Sequence, residues 1–391
     1  MDFTEEHYKL NRILLLWLGL WPYDTSFFKK IQIVFFEALF ISFVLCQFNV
    51  LLVKNCSIVL VMRICMFLFI ISCVIINYNA GLLLTHTFKY VFNRIRYDWK
   101  ILKNQAEFEI IQKYADKTKF YTISFALLGT SGCLGVLSLS FVSPILDVII
   151  PMNVSRSLRL PIVAEYFVDQ TRYFYPIMIH IFIVSYVCLM TLVAIIALLI
   201  AYVMHNCAIF EIVSYRLEHM FDEKILEMSK DIREHILYER LVHAVYLHRR
   251  ATDMANIMTN SYANFYMIFL IIGIGSTTFS VFHFFYVLEA LNDVIEIITS
   301  SAIIVFQFYY IFIANYMGQN IIDISVNLFQ TTYNTEWYAA PLWLQKLILF
   351  IMQRSSIKST FTTAGVFDAS LEGFAKLLSM SMSYVMFLRS T

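Results

Sequence analysis

Charged side chains are scarce in this sequence. Asp, Glu, Lys and Arg make up 15% of the 391 residues, whereas hydrophobic residues make up 60% and the mean hydropathy is +0.69. Soluble globular domains carry about 25% charged residues. The shortage excludes an ordinary soluble fold and indicates an all-α polytopic membrane protein.

Catalytic and cofactor-binding signatures are also missing. The sequence contains no GxxxxGK[ST] loop, GxSxG elbow, HExxH or CxxC pair, or GxGxxG turn, each of which positions reactive or phosphate-binding groups by its spacing. His235, Glu239 and His243 recur at helical spacing, which is more typical of a solvated helix face than of a metal site. We therefore expect no enzymatic activity, cofactor, metal site or nucleic-acid partner.

Internal repeats, low-complexity tracts and the paired broken helices of many transporters are absent as well. Residues 1–391 are therefore interpreted as a single membrane domain. The seven cysteines lie mostly in or beside apolar runs, which leaves Cys56 alone in an outer connection. No external disulfide is predicted.

In place of charge, the sequence has long apolar runs. An α-helix needs about 20 residues to cross roughly 30 Å of hydrocarbon. Seven runs reach this length, and we predict spans at about 31–53, 58–84, 120–145, 176–204, 262–288, 294–318 and 365–388. A shorter run, 13–21, follows an acidic start and ends at Pro22, so we expect it to be an interfacial segment and not a signal peptide.

The distribution of positive charge predicts the orientation. Most of the 29 Lys and Arg residues fall in connections on one side of the predicted spans, which is the cytoplasmic side by the positive-inside rule. The N-terminus is therefore expected inside and the C-terminus outside. Two glycosylation sequons, at Asn55 and Asn153, fall in connections that this orientation makes external.

The longer connections suggest two further structures. The outer connection at about 146–175 is rich in proline and aromatic residues and is expected to fold as a lid over a site between helices. On the inner side, residues 206–261 and 319–364 are charged with helical periodicity, which predicts a helical cytoplasmic anchor.

The last predicted span contains a polar row. Lys376 lies on the order of 16–22 Å from either end of the span, too deep for comfortable snorkelling. Glu372 precedes it in the favourable order for a helical ion pair, and Asp368 lies one turn earlier. The same face continues with Ser379, Ser383, Phe387 and Ser390. The row either bonds to neighbouring helices or faces an aqueous axis.

Several residues in order resemble the insect odorant receptor family. The N-terminal stretch LLLWLGLWP resembles the family's entry motif, and the last fifth of the chain carries the stronger match. That match comprises Gly318, Ser325, Tyr333, Trp337 and Tyr338 in YNTEWY, the basic segment QRSSIK, and Phe361, Gly365, Phe367 and Phe374 before SMSYVMFLR. The coreceptor of that family carries a long inner insertion for which this chain is too short, which favours a ligand-tuning subunit.

The resemblance implies a function. Such proteins are odorant-gated, non-selective cation channels in the plasma membrane of sensory neurons, where each forms a tetramer with the odorant receptor coreceptor. The last span lines the pore, with a constriction near Phe387. By this pattern the pore-lining residues are Asp368, Glu372, Lys376, Ser379, Ser383, Phe387, Ser390 and Thr391. Alternatives are a gustatory-receptor-like homotetrameric channel and a metabotropic seven-helix receptor.

The resemblance also places the pocket for a small volatile odorant in the outer half of the second to sixth spans, among membrane lipid. The candidate ligand-binding residues are Met62, Cys65, Met66, Phe69, Gly135, Val136, Leu139, Met178, Ile181, Ser185, Phe279, Ser301, Phe308 and Tyr309. Methionine adapts its shape and aromatic rings supply contact area. Ligand selectivity is therefore expected to depend on shape and dispersion.

Overall fold

The computed structural model describes residues 8–53, 57–102, 104–150, 158, 160–221, 227–290, 294–363 and 367–390. Most of these residues are helical. The helices are α1 (Lys9–Trp17), α2 (Phe27–Val53), α3 (Ile58–Leu83), α4 (Thr85–Ile101), α5 (Gln105–Leu139), α6 (Val142–Ile149), α7 (Phe174–Glu218), α8 (Lys230–Ala290), α9 (Val294–Asn334), α10 (Leu342–Ser355) and α11 (Leu371–Ser390). Short 3-10 turns occupy His219–Phe221 and Trp337–Ala339.

Seven of these helices correspond in order to the seven predicted spans. Six of them, α2, α3, α5, α7, α8 and α9, are long and apolar enough to cross a membrane. The seventh, α11, has 20 residues, which is the length a span requires. We call the end of the bundle near the α8–α9 connection the outer end and the opposite end the inner end, following the charge-based orientation.

Several helices continue beyond the apolar runs at the inner end. α5 begins at Gln105, α7 continues to Glu218, and α8 begins at Lys230. Their polar extensions pack on α4 and α10, so the inner end is a helical base, which is the part predicted as an anchor. Hydropathy does not reveal these extensions because amphipathic turns continue a helix without raising its mean hydropathy.

α7 is the central helix of the core. Val193, Ala197, Ile200 and Val203 are all 0% exposed, and α2, α3, α5, α8 and α9 all contact this helix. A helix that is hydrophobic on every side is typical of a buried position. These five helices therefore bury one face on α7 and leave the other for lipid or a neighbouring subunit, whereas α11 packs on α8 and α9.

A buried charge cluster joins α4, α7 and α8 at the inner end. The carboxylate of Asp98 accepts hydrogen bonds from Arg250 and from Nε2 of His205, the latter at 3.1 Å. The Asp98 and His205 side chains are 3% and 0% exposed. The Arg250 guanidinium also lies over the ring of Tyr97, 4.7 Å from its centre. Buried charges persist only when they are paired in this way.

Two short antiparallel strands precede α11. β1 (Thr362–Thr363) pairs with β2 (Phe367–Asp368). Helical spacing placed Asp368 on the last helix, but it lies in β2, where it accepts hydrogen bonds from Lys358 Nζ at 2.8 Å and Thr362 Oγ1 at 2.6 Å. These hydrogen bonds lower the pKa of the Asp368 carboxyl below its usual range. The polar row of α11 therefore starts at Glu372.

α9 holds the start of α11 closely. Ala369 packs against Gly318 of α9, where a Cβ would overlap the Ala369 carbonyl. The Ser370 amide donates to Asn315 Oδ1 at 3.3 Å, and Ser370 Oγ accepts from the Gly373 amide at 3.0 Å. This serine cap explains why the helix begins later than the apolar run. We call residues 315–319 together with residues 367–373 the basal clasp.

Candidate functional site

A cavity of about 250 Å³ lies toward the outer end of the bundle, between α3, α5, α7, α8 and α9. Its wall is mostly aliphatic and aromatic, with Phe67, Phe269, Phe306 and Tyr310 among the lining side chains. Apolar enclosed spaces of this kind bind small apolar molecules. We call this space the ligand cavity.

A few polar side chains interrupt the apolar wall. Gln307 of α9 donates from Nε2 to Ser276 Oγ of α8 at 2.9 Å, whereas Gln307 Oε1 is buried without a hydrogen-bond partner among the described residues. Thr277 and Thr299 donate their hydroxyl hydrogens to backbone carbonyls of their own helices. Within the described part of the chain, the wall includes no Asp, Glu, Lys or Arg. The ligand cavity therefore suits a neutral molecule.

A polar recess of about 380 Å³ adjoins the ligand cavity on its outer side. Residues that line both spaces are Val136, Pro161, Ile162 and Thr299. Arg63 Nη1 lies 2.8 Å from Glu296 Oε1 in this recess, and His283 Nε2 lies 3.3 Å from the same oxygen. The charges are thus confined to the recess and are paired there.

The connection before α7 covers the ligand cavity at two of these shared residues. Tyr166 in this connection bonds through its hydroxyl to His180 Nδ1 at 2.8 Å, and His180 Nε2 lies 3.0 Å from Ser42 Oγ of α2. The connection is thereby fastened to α2 and α7. The sequence predicts a lid at 146–175, and the described part of that connection has the position a lid requires.

Part of the wall of the ligand cavity also faces α11. Residues shared between the ligand cavity and a gap of about 20 Å³ beside α11 are Phe269, Gly273, Thr277 and Ile311. On the α11 side the gap is lined by Leu377, Leu378 and Ser381. A lower cavity of about 120 Å³ shares Phe269 and Tyr310 with the ligand cavity and reaches Ala369 in the basal clasp. One layer of side chains therefore separates the ligand cavity from α11.

α11 packs on its own chain through one narrow row. The buried members of this row are Gly373, Leu377, Ser381 and Val385. The nearly opposite face carries Glu372, Lys376, Ser379, Ser383, Phe387 and Ser390, all exposed in the single chain. The predicted pair between Lys376 Nζ and Glu372 Oε1 is present at 2.7 Å. We call this exposed set the polar face of α11; its predicted role in lining a pore stays a prediction.

The predicted ligand residues fall into two groups. Val136 and Ser185 line the ligand cavity, and Leu139 lines the adjoining recess. Lining neither space are Met62, Cys65, Met66, Phe69, Gly135, Met178, Ile181, Phe279, Ser301, Phe308 and Tyr309. Two of these residues pack on each other instead, since the rings of Phe69 and Phe279 stack with their centres 5.2 Å apart. Ligand contact by any of these residues stays a prediction.

Three further predicted residues, Asn55, Asn153 and Thr391, lie outside the described part of the chain. Conversely, some residues that line the ligand cavity were not predicted from the sequence, among them Gln307, Ser276, Phe269 and Tyr310. Gln307 had a detectable signal, because a neutral amide inside an apolar span needs a partner for the same reason that a charge does. The aromatic residues had no such signal in a chain with 36 phenylalanines and 24 tyrosines.

Comparison with known proteins adds a family and a fold. The family model described as "7tm Odorant receptor" matches residues 82–382. Two solved structures of the insect olfactory receptor OR5 from Machilis hrabei are similar over nearly the whole chain. The complex with eugenol has a TM-score of 0.76 at 14% identity and covers 99% of this chain and 98% of its own. The second has a TM-score of 0.77 at 17% identity and covers 98% of each chain. No curated protein sequence matches this chain. The predicted seven-helix membrane fold is confirmed by these similarities.

Proposed function

The chain belongs to the 7tm odorant receptor family, and from that premise we propose that it is an odorant-gated, non-selective cation channel subunit. It is a multi-pass membrane protein of a receptor family and not of an enzyme family. In this proposal a small volatile odorant binds in the ligand cavity, and α11 lines the pore. The subunit functions in a tetramer with the odorant receptor coreceptor, in the plasma membrane of sensory neurons.

The observation that carries the proposal is the shared wall between the ligand cavity and α11. Phe269 and Thr277 contact both the ligand cavity and the gap beside Leu377 and Ser381. Because protein interiors are close-packed, a ligand that displaces these side chains must also move their neighbours. Occupancy of the cavity can therefore change how α11 packs, without a long chain of intermediates.

The required free energy is modest. Moving a channel from about 1% to about 99% open requires roughly 5.5 kcal/mol of differential binding, which several occupied subunits can share. The best small ligands gain up to about 1.5 kcal/mol per non-hydrogen atom, and larger ones gain less. A ligand small enough for the cavity can thus supply the difference, provided that it binds the open packing more tightly.

The polar face of α11 supports the assignment of the pore helix. It points away from the row that packs on the same chain, so it is available to an axis shared with other subunits. Its charges oppose one another, since Glu372 attracts cations and Lys376, 2.7 Å away, repels them. Serines further along the face offer hydroxyl groups to a permeating ion.

A cysteine-accessibility experiment tests the pore assignment. Ser383→Cys lies on the polar face, whereas Leu378→Cys lines the gap toward the ligand cavity. Each variant is co-expressed with the coreceptor, and a charged thiol reagent is applied during resting and eugenol-evoked current. Block of Ser383→Cys alone is expected, with unmodified receptor as the control for the native cysteines. Block of Leu378→Cys alone would mean that α11 turns another face to the pore.

The coreceptor requirement is tested in the same cells. Omitting the coreceptor is expected to abolish the current while the chain still reaches the membrane. Full current from the chain by itself would instead favour a homotetrameric channel of the gustatory type.

A further inference from the structure

The polar groups of the ligand cavity differ in whether they have a hydrogen-bond partner. The amide of Gln307 is held at one end only, because Nε2 donates to Ser276 Oγ at 2.9 Å while Oε1 has no partner among the described residues. A buried acceptor without a donor is unfavourable, since the amide lost its water on burial. Among the described residues that line the ligand cavity, this oxygen is a buried acceptor to which no side chain or backbone group donates.

The neighbouring hydroxyls do not meet that requirement. Thr277 donates to Gly273 O at 2.9 Å and Thr299 donates to Ile295 O at 2.8 Å, so their single hydrogens are already used. Ser276 already accepts from the amide nitrogen. No described residue donates to Gln307 Oε1, so a hydroxyl on a molecule inside the ligand cavity can supply the donor.

The wall also restricts the charge of that donor. An ammonium ion would need a carboxylate in the wall, but the described wall has none, and Glu296 lines the outer recess, where it is paired with Arg63 and His283. Buried charges without a counter-ion are strongly unfavourable. A neutral hydroxyl on an apolar body fits both the orphan oxygen and the apolar wall.

We propose that Gln307 is a specificity-determining residue that selects neutral alcohols and phenols over hydrocarbons and ethers of the same shape. The proposal rests on the proposed function for the identity of the site. On binding, the ligand hydroxyl donates to Gln307 Oε1 after a small movement of the side chain that exposes this buried oxygen to the cavity, and the Nε2 bond to Ser276 keeps the amide in its orientation.

The test compares matched ligands by two measurements. Benzyl alcohol is paired with benzyl methyl ether, and octanol with octyl methyl ether. Binding is measured as the shift in thermal unfolding of the purified receptor complex, and gating is measured as current in cells that express the coreceptor. The apparent affinity of unmodified receptor for each alcohol is expected to exceed that for its ether by about two- to tenfold, the range of one hydrogen bond.

Two variants separate the hydrogen bond from packing. Gln307→Met keeps a similar volume without the amide, so the alcohol preference is expected to disappear while ether binding is retained. Gln330→Met makes the same change at an exposed position of the same helix, outside the ligand cavity, and is expected to preserve the preference. Equal shifts for alcohol and ether, no shift with either alcohol, or a preference that persists in Gln307→Met would overturn the proposal.

The two measurements distinguish this proposal from the proposed function. Discrimination in the thermal shifts without any evoked current would leave the alcohol subsite standing and remove the odorant-gated channel. Evoked currents with no dependence on Gln307 would support the odorant-gated channel and remove the alcohol subsite.

Discussion

α7 and α11 belong to the same helical bundle but bury their side chains very differently. Over residues 187–214 α7 is enclosed by helices of its own chain, with no exposed side chain, and it contributes much of the largest hydrophobic cluster. α11 buries one row of four residues and leaves the others half-buried or exposed. Both helices have the length of a membrane span, so length alone does not explain the difference.

Some helices find most of their packing contacts inside one subunit, and others leave a face for contacts with other subunits. The inner two thirds of α7 find their contacts within the subunit, so this part of its sequence serves packing inside one fold. The polar face of α11 lies away from the row that packs on the same chain, and serines and an ion pair are poor partners for lipid. Changes around α7 should therefore reduce stability, whereas changes on the polar face of α11 should alter current.

The largest effect is expected from Asp98→Asn in the charge cluster around α7. The change leaves the half-enclosed guanidinium of Arg250 without its carboxylate partner and removes the charge that faces His205. Breaking a buried pair in this way costs about 3–5 kcal/mol. We expect a lower thermal unfolding midpoint and much less receptor at the cell surface.

Asp116→Asn provides the matched control, because Asp116 is exposed on α5 and surface charges contribute little. If both variants behave like unmodified receptor, the Asp98 cluster does not hold α4, α7 and α8 together. A loss of current at normal surface level in Asp98→Asn would assign the cluster to gating instead of folding.

A smaller effect is expected from Gly318→Ala, which tests the point where α11 is joined to the stable core. The added Cβ would overlap the carbonyl of Ala369, so the basal clasp must open. Overpacking of this kind costs about 1–3 kcal/mol. Because the clasp sets the base of α11, we expect altered resting current together with modest loss of stability.

Gly135→Ala is the control for helix propensity, which favours alanine at both positions. At Gly135 on α5 a Cβ would meet no described atom within 4 Å. This variant is expected to match unmodified receptor in resting current and surface level, the two quantities that Gly318→Ala should change. If Gly318→Ala does so as well, the close contact at the clasp does not constrain α11.

The sequence predicts the bundle well because crossing a membrane requires long apolar runs whatever the neighbours are. It does not predict how each helix is rotated about its own axis. For this reason only some of the predicted ligand residues line the ligand cavity. On α9, the predicted residues Ser301 and Tyr309 sit beside Ala302 and Tyr310, which line the cavity. A shift of one residue turns the face by about 100°, and only packing against neighbouring helices fixes that angle.

Asp368 shows a second limit of sequence reasoning. Its spacing from Glu372 fits a helix, and nothing in the local pattern excludes one. The competing interactions are distant or depend on a turn: Lys358 and Thr362 bind the carboxylate, and Ser370 caps the helix after it. Periodicity identifies residues that could share a helix face, but caps decide where the helix begins.

The smallest effect on stability is expected from Lys376→Gln on the polar face of α11. The side chains of Lys376 and Glu372 are 63% and 78% exposed, and an ion pair this exposed contributes little to stability. Surface level and thermal midpoint should therefore remain unchanged, as they should for Lys230→Gln at an exposed position of α8.

The two lysine variants should differ in single-channel conductance. Removing the positive charge leaves Glu372 unopposed, and two unit charges about 4 Å apart in water interact by about 1 kcal/mol. Single-channel cation conductance is therefore expected to rise, by up to about fivefold, in Lys376→Gln only. Unchanged conductance would indicate that the polar face of α11 is turned away from the ion path, and the contrast between α7 and α11 would then reflect contacts with lipid or another subunit and not a pore.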